Sequence, residues 1–565
     1  MPDRCRDAAA DPTAAVVAPP DAGLSRRRLI GRAAALGLAL PAAQALRAAP
    51  THAAPPAQTD PATLTIAMNG SPSDLDPQSA DDYRSIVAIR GVYEQLIDLA
   101  EGSTEEYVGS IAEAWTANDD ASVWTFTLRD GVTFQDGSPC DAEAVRASFE
   151  RLITLGYAPG SEMGRFLSDP AQVSAPDPRT VVFDLGRPQP LFEAGIGSVY
   201  GGQIVNANVA RAHEEDGDWG NTWAHTNTAG MGTGPYQITA FEPGQQAVFA
   251  RNEAYWRGWE GDHFDRIVIR VVEETATRRQ LIERGEVDIV DSLTPEALQA
   301  LEQNPELTVD KHYSMTVDYF ILTVAGPLAS PQARQAMCYA FPYDEVVAGV
   351  YKGYAKRAVG AVAELCRGFD PDTFVYPTDL DKAKALFAEA GVADGTRLTL
   401  VQEAGDENVK TAAQLFQANL AQIGIDLNIE TVDLQSFTDL IFSDAPAEER
   451  PNVLPWFWSP VYNDAWDHLL LQISCDAWGS QGTNSGYYCN ERVQELMDRA
   501  KDELDPTAYQ TDLSEIQQII SRDDPPAIYT VQREWTTVLR HNVAGFVFNP
   551  LYFGAYDFYR LHRTA

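Results

Sequence analysis

Apolar positions along the chain follow two periods. Thr63 to Gly70 (TLTIAMNG) alternates apolar and polar residues as a half-buried strand does, and Ile86 to Leu99 spaces its apolar residues on one helical face. From Trp124 to Leu152 the pattern predicts a strand over Trp124–Leu128, a turn at Asp130-Gly131, a second strand over Val132–Phe134 and another turn at Asp136-Gly137. A helix follows, capped by Asp141, with Ala144, Val145, Phe149 and Leu152 on one face. Further on, Asp381 caps a helix carrying Ala383, Ala385, Leu386 and Ala390, which Gly391 stops. One stretch obeys neither period. Pro455 to Leu470 (PWFWSPVYNDAWDHLL) sets three tryptophans, a Phe and a Tyr beside acidic residues, with Pro455, Pro460, Asn463 and Asp464 breaking any alternation. It reads as a loop that presents rings, which serve either as core or as a pocket wall.

At 565 residues the chain exceeds the roughly 250–300 residues that one core supports, so at least two lobes are expected. A hydrophobic content of 45% is ample for packed cores. The net charge of −39 repels nucleic acid and anionic lipid, which removes both as partners.

Ser25 to Ala45 (SRRRLIGRAAALGLALPAAQA) joins a run of arginines to a short apolar stretch and a small-residue ending. That order defines an export signal, and Ser25-Arg26-Arg27-Arg28-Leu29 is similar to a twin-arginine signal. Residues 1–53 are therefore read as signal and Ala/Pro-rich linker, with cleavage after Ala45 or within Ala48 to Ala57 on export to the periplasm. No Cys follows the apolar run, so no lipid anchor is expected, and no later apolar stretch reaches the length of a membrane span. Cys475 and Cys489 flank a Gly/Ser/Asn-rich segment, a loop that a disulfide would close at a gain of roughly 3 kcal/mol. The states of Cys140, Cys338 and Cys366 stay open.

The passage WTFTLRDGVTFQDGSPCDAEAVRASFERL (Trp124 to Leu152) resembles the family 5 solute-binding proteins of ABC importers, the class of dipeptide-, oligopeptide- and nickel-binding proteins. The likeness continues through GTGPYQI at Gly232, NEAYWRG at Asn252, LIERGEVDIV at Leu281, RQAMCYAF at Arg334, DKAKALFAEAG at Asp381, LAQIGIDLNI at Leu420 and VAGFVFNPLYF at Val543. The resemblance implies an α/β, two-lobed periplasmic-binding-protein fold (type II, cluster C-like). Lobe I would run over 60–312 and regain 533–565, with an inserted subdomain at about 100–225, and lobe II would span 313–532. It further implies a monomer that closes on a small-molecule or peptide solute and delivers it to a membrane permease. A cysteine pair similar to Cys475 and Cys489 occurs in the dipeptide-binding relatives. Gly232 and Gly234, freeing the backbone just before Pro235 fixes it, suit a bend between lobes.

No G-x-S-x-G elbow, H-E-x-x-H, phosphate loop or C-x-x-C is present, and no histidines are spaced for a metal. No enzyme, cofactor or metal site is expected; a secreted hydrolase using cleft carboxylates is the alternative reading. In the peptide-binding members the aromatic loop reads W-x-x-D-Y-x-D-P, and its first Asp receives the ligand's amino group. Here that place falls on Val461, within Trp458 to Ala465, and the place of the Arg that takes the ligand carboxylate falls near Glu403. A free dipeptide held in that way is disfavoured, since both of its charges would lack a partner. The expected ligand-binding residues are Tyr83, Tyr319, Glu403, Trp456, Trp458, Val461, Tyr462 and Asp464, with Trp466 and Phe320 beside them. Such rings beside Glu403 and Asp464 suit a planar, sugar-like or cationic solute, a metal chelate included.

Overall fold

The computed structural model describes residues 62–479, 482–552 and 554–564. The signal and linker read over residues 1–53 lie outside the described residues. Eleven strands form one sheet: β1 (Thr63–Met68), β2 (Tyr236–Glu242), β3 (Gln246–Arg251), β4 (Arg266–Val271), β5 (Ile289–Asp291), β6 (Leu307–Leu322), β7 (Ala355–Arg357), β8 (Arg397–Glu403), β9 (Asp426–Val432), β10 (Val453–Trp458) and β11 (Ala527–Arg540). Their order is β9-β8-β10-β6-β11-β5-β1-β4-β3-β2, with β7 added on β11.

The two long strands β6 and β11 organise the sheet. They pair antiparallel from Leu307↔Arg540 to Ile321↔Ala527, and the register shifts between Tyr313 and Val317 and again between Asp318 and Tyr319. At one end, β5 joins β11 and is parallel to β1, which is parallel to β4. At the other end, β10 joins β6 and is parallel to β8, which is parallel to β9. Asp291 lies opposite Thr537 and Trp458 opposite Val317, so the carboxyl ends of both parallel sets point at the middle of the long pair. In open α/β sheets that is where crevices form.

Parallel strands buried on both faces read as continuous apolar runs. Leu64, Ile66, Ala67 and Met68 of β1 are accordingly all buried. On the other half, Phe320 of β6 meets the rings of Phe341 and Phe416. The middle of the chain adds a separate antiparallel sheet over Ala112–Ala117, Val123–Leu128, Thr180–Asp184 and Val173–Asp177, backed by the helix Ala142–Leu155. Its Asp141 cap is as expected, accepting from the Ala144 amide at 3.0 Å. Val132–Phe134 forms no strand: only Thr133 bridges to Pro139, because the turn at Asp136-Gly137 closes the chain back at once. The helix expected from Asp381 is capped two residues earlier, by Asp379, whose side chain accepts from the Lys382 amide.

Gly232, Gly234 and Pro235 are not on the chain that crosses the middle. They pass against the end of helix α1 (Tyr83–Val92), where a Cβ on Gly232 would stand 2.0 Å from the Val92 carbonyl oxygen and the Gly234 amide donates to it at 2.8 Å. Glycine is required there for close approach, and the elements spanning both halves of the sheet are β6 and β11, with their register breaks. Cys475 and Cys489 are joined in a disulfide with Cα atoms 4.7 Å apart. Cys140, Cys338 and Cys366 are free and buried.

Candidate functional site

Around the carboxyl ends, where the topology places a crevice, residues come from three sides. On the first, Asn69 and Gly70 follow β1, and α1 opens with Tyr83 and Arg84 under the Asp82 cap. Asn69 Oδ1 accepts from Tyr83 Oη at 2.7 Å and from Arg84 Nε at 3.1 Å, and the Arg84 guanidinium lies over the Tyr83 ring at 4.7 Å. Tyr83 in turn meets Trp535 of β11 edge-on at 5.6 Å. At the end of β5, Asp291 is fully buried; burial pushes its carboxyl up to about 6, against the pull of the Arg278 guanidinium.

The middle is formed by β11 and β6. Arg533 Nε donates to both oxygens of buried Asp318 at 2.7 Å, and Tyr351 Oη donates to the same carboxylate at 2.8 Å. Burial raises the Asp318 carboxyl despite the opposing Arg533 charge. The Arg533 guanidinium also stands 5.3 Å from the Phe457 ring centroid and 3.9 Å from Asp406, which caps helix α2 (Glu407–Gln422). On the third side, Glu403 ends β8, half-buried, its carboxyl raised by burial and by the neighbouring Asp406 charge. Trp456 and Trp458 of β10 are half-buried, and neither indole Nε1 has a hydrogen-bond partner among the described residues. Tyr319 lies opposite Trp456 and is buried against Tyr529.

The aromatic stretch thus divides. Pro455 to Trp458 is strand, not loop, because β6 pairs with it throughout. Beyond Pro460 the rings are core: Tyr462 is buried against Phe166, and Trp466 Nε1 donates to the Met497 carbonyl at 3.2 Å. Phe320 is core as well. Asp464 is no pocket wall, since it is fully buried, caps helix α3 (Ala465–Ile473), and accepts from Arg367 Nε at 2.7 Å and from the hydroxyl of Tyr509. The Val461 amide donates to Asp467 at 2.6 Å, while its carbonyl accepts from Ser198 Oγ at 2.7 Å.

That last bond belongs to a contact between the inserted sheet region and the α3 loop that the sequence did not disclose. Arg165 reaches Asp467 Oδ1 at 2.7 Å and Glu162 Oε2 at 2.7 Å, and Asn463 Nδ2 donates to the Thr104 carbonyl at 2.8 Å. Burial drives the Glu162 carboxyl up to about 7, against the attraction of Arg165 and with the help of Asp467. Arg84, Asp318, Arg533 and Asp467 were all missed by sequence reasoning. Only Arg84 carried a signal, as the neighbour of Tyr83; the others are charges on apolar elements whose partners lie far away in the chain. Among the described residues no group of His, Cys, Asp and Glu is placed to hold a metal, and no helix is long and apolar enough to cross a membrane.

Comparison with known proteins agrees with this geometry. Residues 106–480 match the model of bacterial extracellular solute-binding proteins, family 5 Middle. The probable D,D-dipeptide-binding periplasmic protein DdpA of Escherichia coli is 31% identical over 493 residues, covering 86% of this chain and 92% of the relative. The di/tripeptide-binding protein 2 of Pseudomonas aeruginosa is 26% identical over 535 residues, covering 89% and 95%. Among solved structures, the periplasmic binding protein DppA from Helicobacter pylori in complex with peptide STSA superposes with a TM-score of 0.76 at 23% identity, covering 89% of this chain and 98% of that one. The two-lobed periplasmic-binding-protein fold is therefore this chain's fold, and the chain belongs to family 5 of the bacterial extracellular solute-binding proteins.

Proposed function

We propose that this chain is the capture component of an ABC importer for a short peptide or peptide-like solute, which it encloses in the crevice and passes to the membrane permease. The observation that carries the reading is the convergence of both parallel strand sets on the middle of β6 and β11. The 31% identical D,D-dipeptide-binding relative supports the solute class. Lobe I then comprises 60–312 with 533–565 and lobe II 313–532, and closure flexes β6 and β11 near their register breaks. Export by the twin-arginine-like segment, cleavage within residues 45–57, work as a monomer in the periplasm without a lipid anchor, and binding without turnover complete the reading.

Val461 offers no carboxylate to an amino group, but Glu403 stands half-buried at the end of β8. A solute's ammonium group pairs there, with Tyr83, Trp456 and Trp458 as apolar walls and buried Tyr319 backing Trp456. Calorimetry with D,D- and L,L-dipeptides tests the reading. Binding that stabilises the protein by about 2.7 kcal/mol at 100 times Kd, with a smaller radius of gyration and with the peptide recovered intact, is expected. No heat with any short peptide, or hydrolysis of the peptide, overturns it.

A further inference from the structure

Arg84 is seated at the crevice but given no counter-ion. The chain carries 42 basic and 81 acidic residues, so a carboxylate partner is in easy supply. Arg533 in the same crevice takes Asp318, and Arg165 takes both Glu162 and Asp467. Arg84 forms no ion pair among the described residues. Its Nε is occupied by the neutral oxygen of Asn69, and its flat face by the Tyr83 ring. The seat is built for it: a Cβ on Gly70 would come within 2.6 Å of Nε, so that glycine makes the room. The Asp291 charge lies close enough to feel Arg84, but Asp291 is fully buried and draws first on Arg278. What remains are the two terminal nitrogens, the pair that grips a carboxylate side-on.

We propose that Arg84 receives the carboxylate of the bound solute, which makes the solute class an acid. The inference rests on the crevice being the solute site. It adds the polarity of binding: the anionic end of the solute lies on the β1 side at Arg84, and its cationic end lies across the crevice at Glu403. Arg533 is not the receptor, since Asp318 already neutralises it.

The test compares D-alanyl-D-alanine with its C-terminal amide on the full chain, alongside mass spectrometry of solute released from protein taken from its own host. The released solute is expected to carry an acidic group. The free acid should bind at least tenfold more tightly than the amide, as hydrogen bonds to a charged group imply. Arg84→Gln should bring the acid down to the level of the amide and leave the amide unchanged, and Arg84→Lys should fall between. Acid and amide binding the parent chain equally, discrimination persisting in Arg84→Gln, or both probes weakened alike with a lower Tm would each overturn the assignment while leaving a peptide-binding function intact. If neither probe binds, the released solute decides: an acid that loses at least tenfold affinity in Arg84→Gln upholds Arg84, and a solute without an acidic group ends the proposal.

Discussion

The two halves of the stretch from Pro455 to Leu470 look alike in sequence and do opposite things. Trp456 and Trp458 sit on β10 with half-buried rings and indole nitrogens that nothing in the described chain satisfies. Tyr462, Asp464 and Trp466 sit a few residues later, wholly buried, with Asp464 and Trp466 hydrogen-bonded inside the protein and the Tyr462 hydroxyl without a partner among the described residues. Unpaired polar atoms thus occur in both halves, and what separates them is burial: the first keeps partly exposed rings at the strand ends, and the second is core that holds α3 in place. In the proposed function only the first half meets the solute.

The widest separation should come from Tyr462. Tyr462→Ala removes a large ring from core and should cost roughly 3–5 kcal/mol. Asp464→Ala uncaps α3 and takes the acceptor from the Tyr509 hydroxyl, while the half-exposed Arg367 regains water, so its loss should be on the order of 1–3 kcal/mol. Urea denaturation should show both losses; a midpoint unchanged in either variant would place that residue with the crevice instead.

Trp458→Ala should do the reverse, weakening solute by about 2 kcal/mol or more while the unfolding transition keeps its steepness. Titration calorimetry paired with thermal melts separates the two outcomes. A large drop in Tm with unchanged affinity would erase the distinction between the halves.

An effect that appears only below neutral pH sharpens the second half alone. His468 on α3 is fully buried, and burial drives its pKa from 6.5 down to about 3, against the opposing pull of the Met315 backbone. The folded state holds the ring neutral while the unfolded chain protonates below about 6.5, so the unfolded state binds more protons there. Stability is then full above pH 6.5 and falls by about 1.4 kcal/mol for each unit between there and about pH 3, below which the loss stops growing. His468→Gln should remove that component from the pH dependence of unfolding, and an unaltered slope in the variant would contradict it.

Local periodicity was enough for the strand at Thr63, the strand at Trp124 and the helix capped by Asp141, because each depends on neighbours a few residues away. It was not enough for Pro455–Trp458. Two prolines hid a strand whose pairing partner lies more than a hundred residues earlier, at Val317 to Leu322. The glycines before Pro235 carried a real signal, a need for an absent side chain, but sequence does not say whether that need is bending or contact. Only the Val92 carbonyl beside Gly232 shows that it is contact.

By itself the sequence determined that the chain is acidic and that it alternates strands and helices from Thr63 on, which follows from composition and from patterns read within one element. Its resemblance to the solute-binding proteins came from landmarks spread in order along the chain. Which rings lie at the strand ends, which carboxylates are already paired, and that Arg84 is among the arginines without a carboxylate were decided by the tertiary structure alone. A side chain's charge is written in the sequence, but its counter-ion is chosen by packing: Arg533 finds Asp318 across more than two hundred residues, whereas Arg84, fixed by Asn69, Tyr83 and the bare Gly70, has none among the described residues.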